Sequence, residues 1–458
     1  MWRRGLIVLT LGLLLGSCAP SGPETARRGT AAPETPLAEP PLAARFGAPQ
    51  PEPPQVANTQ IARDVLDLAF LLESGKSLPN FTRFETPVTL RVAGDAPPSL
   101  SADLARLLRR LREEAGIDIT ETKATEANIT LVPVSRETIR KELPQAACFV
   151  IPGVNSLAEY RRARRAGSTS WVDVQKRETA AVFLPADAAP QELRDCLHEE
   201  IAQALGPLND LYRLGDSVFN DDNVHTVLSG YDMLVLRVFY DPALRSGMSR
   251  AEVAQALPEI LARLNPRGES LPDRHLAPTP RPWIDAIQTA LSTGEPMPKR
   301  RGSAEDALRL AQSEGWRDHR LGFAHFVLGR LLQGDEPAAA RAEFVAARRV
   351  FAALPGARLH EAYVDAQLGA LALRAGDAAR TLELVTPQQE TATRYENAAL
   401  LATLKMLRAE ALQMSGRASE AEQVRLDSLG WARYGFGPDW AAQAKLRQIA
   451  ALNPMNGS

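Results

Sequence analysis

Glu199-Glu200-Ile201-Ala202-Gln203-Ala204-Leu205-Gly206-Pro207-Leu208-Asn209 is the stretch on which the reading of this 458-residue chain turns. Pro190 is placed to open a helix ahead of it and Gly206 to end that helix. At 3.6 residues per turn, Glu199 and Gln203 share a face and Glu200 points beside them. Upstream, 61–72 is an amphipathic helix candidate and Val88–Val92 alternates in period two. Ser101 is positioned to cap a helix over 102–115, and Ile129–Val134, 148–151 and 180–184 read as further strands. Strand, helix, three strands, motif helix is the order of an α+β domain with a mixed sheet.

In frame, these eleven residues resemble the H-E-x-x-H-x-x-G-x-x-H helix of the zincin and metzincin peptidases, with every histidine replaced. The element order is also that of the zincin fold. The resemblance puts Glu200 in the catalytic general-base slot and Glu199, Gln203 and Asn209 in the three metal-ligand slots. In a working enzyme neutral imidazoles hold Zn²⁺, and the glutamate takes a proton from a metal-bound water whose pKa has fallen to about 7. Carboxylate and amide oxygens weaken Zn²⁺ binding and favour harder ions such as Ca²⁺ or Mg²⁺. The pattern therefore calls for no cofactor, with a divalent metal as the open alternative. A register begun at His198 places Ala202 in the second ligand slot and fails. His198 lies ~100° around the helix from Glu199, and it and His225 are read as partly exposed polar residues near a loop. The oxygen-rich run 220–223 lacks the glycine and terminal glutamate of an EF-hand loop and reads as a turn.

A wider resemblance covers 196–248: Glu-Glu-x-x-Gln-x-x-Gly, then Asn-Asp, Ser-x-Phe-Asn-Asp, Tyr-Asp-Pro and Gly-Met. This set is similar to a proteobacterial lipoprotein family catalogued as domain of unknown function 2927, and element order extends the likeness over 59–265. It implies a cell-envelope protein and brings no activity with it.

Residues 1–18 agree with that setting. Arg3 and Arg4 precede an apolar run too short to span a bilayer. The run closes on Leu15-Gly16-Ser17-Cys18, which resembles a bacterial lipobox and implies lipidation at Cys18, hence a lipid anchor in the membrane. Ala19 in place of Asp favours the outer membrane, with the chain facing the periplasm. Residues 19–58 are rich in Pro, Ala and Glu and read as a disordered tether. In that oxidising compartment the remaining pair, Cys148 and Cys196, is read as one disulfide, with two separate buried thiols as the alternative. Formal net charge is −2 and no basic stripe is interleaved with aromatics, so nucleic acid is excluded as a partner.

Residues 266–302, rich in Pro, Gly and charge, read as a linker with one short helix near 283–291. From 303 to 458 the chain has helical spacing throughout. Leu328-Gly329 recurs forty residues on as Leu368-Gly369, with Arg408-Ala409-Glu410 next in step. Gly334-Asp335, Gly376-Asp377 and Gly416-Arg417 mark recurring turns. The pattern resembles tetratricopeptide repeats, with Ala340 and Phe344 in packing slots and Pro355 and Pro387 near the ends of second helices. The fold class expected is thus an α+β zincin-like domain followed by an all-α helical repeat domain.

Two functions fit. One is an anchored envelope lipoprotein whose protease-like domain has lost its zinc site and which binds a protein or peptide through its cleft and repeats. The other is a metal-dependent hydrolase of peptide or cell-wall bonds with Glu200 as base. The missing histidines favour the first.

Overall fold

The computed structural model describes residues 46–49, 51–144 and 146–456. Cys18, the leader and most of the tether lie outside the described residues. The N-terminal part runs α1 (Asn58–Phe70), β1 (Val88–Val92), α2 (Pro98–Glu113), β2 (Ile119–Glu121), β3 (Ile129–Val134), α3 (Arg136–Glu142), β4 (Phe149–Pro152), α4 (Leu157–Ala166), β5 (Ala180–Pro185), α5 (Pro190–Leu205), α6 (Gly230–Phe239) and α7 (Arg250–Leu264).

The sheet is small and mixed, in the order β2-β1-β3-β5-β4. Its strands are parallel except β4, which runs antiparallel to β5. Every residue of β5 is buried because both faces of the sheet are covered. Phe149, Tyr160 and Phe183 form a core on one face with α3 and α4. Leu90, Leu131 and Val182 face the larger core shared with α1, α2 and α5 to α7.

The expected elements recur with shifted edges. α2 begins at Pro98, ahead of Ser101, because proline at the first helical position is already set for the helix. β2 is three residues long and carries too little alternation to show in the sequence. α3 and α4 bury a single residue each, Ile139 and Tyr160, so neither shows an apolar stripe. Ser229 and Ser249 close capping boxes on α6 and α7.

The C-terminal part is all helical: α8 (Arg281–Leu291), α9 (Met297–Ser313), α10 (His319–Leu332), α11 (Pro337–Ala352), α12 (Arg358–Arg374), α13 (Ala378–Arg394), α14 (Ala398–Met414), α15 (Ala418–Phe436) and α16 (Asp439–Ala450). Residues 266–302, read as a linker, hold α8 and the start of α9, with Trp283 wholly buried in the helical core. α10–α11, α12–α13 and α14–α15 pack as successive hairpins. The Leu-Gly repeat has a steric cause. A Cβ on Gly329 would lie 2.8 Å from the Phe344 ring, and one on Gly369 would lie 2.6 Å from Val385. Each first helix thus gives up a side chain to seat the second. Pro387 falls inside α13 rather than near its end, on an exposed side of the helix. Among the described residues no helix is long and apolar enough to cross a membrane.

Candidate functional site

α5 is fixed at both ends. Pro190 occupies its first turn. At its C-terminus the buried Arg177 guanidinium donates to the carbonyls of Gln203 (2.5 Å), Ala204 (2.7 Å) and Gly206 (2.5 Å), groups that the helix leaves without partners. Arg177 also lies 4.6 Å above the Trp171 ring, and burial lowers its pKa to about 9. Gly206 does end the helix, though its role is space. Its φ of 178° is extended, while a Cβ there would lie 2.3 Å from Cδ1 of Phe239. A disulfide joins Cys148, beside β4, to Cys196 in α5 with Cα atoms 5.9 Å apart.

Of the motif residues, Glu199 and Glu200 share one acidic neighbourhood, whereas Asn209 is engaged elsewhere. Glu199 lines a cleft on the outer side of α5. Glu200 is 1% exposed and its Oε2 has no hydrogen-bond partner. Gln203 is buried with Nε2 unpartnered. Asn209 donates from Nδ2 to the Asp67 carbonyl at 3.3 Å, on the side of α1. Burial and the charges of Glu73 and Asp221 push Glu199 up to about 8. Burial and the charges of Glu199 and Glu73 hold Glu200 well above the usual carboxylate range. Glu73, Asp210 and Asp221 complete this acidic neighbourhood, in which the buried Asp210 carboxyl lies in hydrogen-bond contact with that of Glu73. Among the described residues, no group of three or more His, Cys, Asp or Glu side chains is arranged to hold a metal ion.

Both histidines near the motif are buried rather than partly exposed. His198 accepts from Leu228 N at 3.1 Å through Nδ1. Burial and the cations of Arg110, Arg194 and Arg106 keep it neutral. His225 sits 3.1 Å from Asp216; burial would lower its pKa, but Asp216 outweighs that and raises it. The 220–223 run is a turn built from its own side chains. Asp222 N donates to Asn220 Oδ1, Val224 N to Asp222 Oδ1, and Asn223 takes a φ of 55°.

The turn and α5 are covered by the helical part of the same chain. His360 of α12 meets Asp222 at 2.8 Å, both side chains 1% exposed. His319 of α10 bonds to the Tyr212 carbonyl. Gln191 of α5 donates to Asn397 Oδ1 and accepts from Ala399 N, at 3.2 and 2.9 Å. Between α13 and α14, Glu396 reaches Arg106 at 2.7 Å and Arg194 at 3.7 Å. Tyr434 of α15 donates to Asp103 of α2 at 2.7 Å.

One side of this junction stays open as a cleft of about 360 Å³ between α5 and α14 to α16. Glu192, Asp195 and Glu199 line it at i, i+3 and i+7, a stripe along one helix face. The sequence showed this acidic spacing, but the motif frame drew attention to 199, 200 and 203 instead. Burial, together with the charges of Glu192 and Glu199, holds Asp195 well above the usual range despite Arg194.

Residues 58–259 match a family described as Protein of unknown function (DUF2927). The matched span opens on α1, ends inside α7, and takes in the whole sheet, α5 and the 220–223 turn. No curated protein and no solved structure matches the chain.

Proposed function

We propose that this chain is a lipid-anchored cell-envelope protein, periplasm-facing, whose zincin-like domain has lost its zinc site. On this reading it works as a non-catalytic binding scaffold together with a tetratricopeptide-like array. The observation that carries the reading is the engagement of Asn209, the third ligand position, by the main chain of α1. Glu199 faces a cleft, Gln203 is buried, and Asn209 is committed to the main chain of α1. The order of strands and motif helix supports a peptidase-like ancestry, which by itself establishes no activity. The glycine-seated hairpins support the repeat reading.

The array surface expected to grip a partner holds part of its own chain at α5. An open surface for binding is the cleft beside α5, one of two of similar size that both parts of the molecule line. A metal-dependent hydrolase is the second reading. It is favoured by Glu200, a buried carboxyl held above its ordinary range, as a general acid or base would be.

Elemental mass spectrometry of the full-length protein, purified in mild detergent without chelators, separates the two. The scaffold reading expects no stoichiometric metal. One zinc per chain, lost on Gln203→Ala, would overturn it in favour of the hydrolase.

A further inference from the structure

The cleft beside α5 has an electrostatic character that selects its ligand. Three carboxyl side chains of one helix face, Glu192, Asp195 and Glu199, line it. Arg136, on its rim, is already paired with Glu192. Arg194 lies beneath, 4.0 Å from Asp195, and is engaged by Glu396 through both its carbonyl and its carboxylate. Glu192 is 7% exposed, yet its Oε1 is buried without a hydrogen-bond partner, and the same is true of Asp195 Oδ1. Buried carboxylate oxygens without donors are costly, and a cation in the cleft, meeting the part of the Asp195 side chain that is exposed, offsets their charge through space. The far wall is aromatic and apolar. Trp440 of α16 lines it at 73% exposure beside Phe436, whereas the other tryptophans among the described residues are half-buried or buried. An indole face next to carboxylates suits an ammonium or guanidinium carried on an alkyl stem.

We propose that the cleft between α5 and α14 to α16 is a recognition site for a lysine or arginine side chain of a basic peptide segment. The charged head meets Glu192, Asp195 and Glu199 while the stem lies against Trp440 and Phe436. The inference deepens the scaffold reading and rests on it for its biological role. The raised carboxyls of Asp195 and Glu199 agree with a site short of positive charge.

The test is fluorescence anisotropy with the full-length protein in mild detergent and a labelled Ala-Ala-Lys-Ala-Ala peptide, blocked at both ends. The same peptide with norleucine for lysine is the control, and spermidine the competitor. The expected result is saturable binding of the lysine peptide, weaker by about tenfold or more for norleucine. Trp440→Ala, an exposed position whose loss the fold tolerates, should weaken binding by about threefold. Glu192→Gln with Asp195→Asn should weaken it further while the helical circular dichroism spectrum is retained.

Equal affinity for the norleucine peptide, or lysine binding unmoved by Trp440→Ala, overturns the assignment. Spermidine that competes better than unlabelled lysine peptide overturns the peptide source and leaves a polyamine site. The scaffold reading fails separately. Stoichiometric zinc with intact lysine preference sinks that reading alone, whereas no metal and no lysine preference sinks only the ligand assignment.

Discussion

Arg194 and Glu396, 202 residues apart, meet at the junction of the two parts of the molecule. The guanidinium donates to the Glu396 carbonyl at 2.6 Å and lies 3.7 Å from its carboxylate. Arg106 binds the same carboxylate at 2.7 Å. Glu396 holds this position with a φ of 51°, in the left-handed region that costs a non-glycine residue energy. The side chain is therefore kept there by its two arginine partners, and the junction is a built interface.

Removing Glu396 should be expensive. Glu396→Ala leaves two arginines without their carboxylate and is expected to cost about 3 kcal/mol. Denaturant unfolding measures it. A loss below ~0.5 kcal/mol would show that solvent replaces the carboxylate and that the junction is looser than described.

Gly206 tests the packing of the motif. Gly206→Ala drives a Cβ into Phe239 and is expected to destabilise by ~1–3 kcal/mol. Phe239→Leu in the same chain should recover part of the loss by making room. If the double variant is as unstable as the sum of the singles, the contact is not the cause.

Cys148 and Cys196 should both resist a thiol reagent in the unfolded, unreduced protein. Replacing both with alanine is expected to cost about 2–5 kcal/mol. Labelling of both cysteines would contradict the bridge.

Acid should weaken the junction through His319. The ring is buried among Asp318, Arg320, His360 and Asp222, and burial lowers its pKa from 6.5 to about 4. Between those values the unfolded chain holds a proton that the folded chain does not, so stability rises with pH across the window and is lost on acidification. Relative to wild type, His319→Gln should lose less stability between pH 6.5 and 4, by up to about 3 kcal/mol. Parallel curves for the two proteins would place the acid sensitivity elsewhere.

Local structure was largely legible. Pro190 and Gly416 mark their elements because helix-start and turn chemistry act within four or five residues. The strands of the sheet core show as apolar runs, whereas β2, α3 and α4 bury too little to leave a pattern. Within the candidate site, the frame of 199–209 covers only one of the three carboxylates that line the cleft from α5. Glu192 and Asp195 carry the cleft with Glu199, and they lie outside the frame.

By itself, the sequence determined most elements other than β2, α3 and α4, the two-part division into a mixed sheet and an all-helical region, and the turn at 220–223. Each of these follows from periodicity, capping and short-range bonding. Only the tertiary structure decided where the motif side chains point and what covers them. Gln203 is buried, Asn209 turns to Asp67, and Glu396 crosses from the helical part to Arg194. The physical reason is that burial and ion pairing depend on which surfaces meet. Contacts between residues two hundred positions apart leave no periodic trace in a single chain.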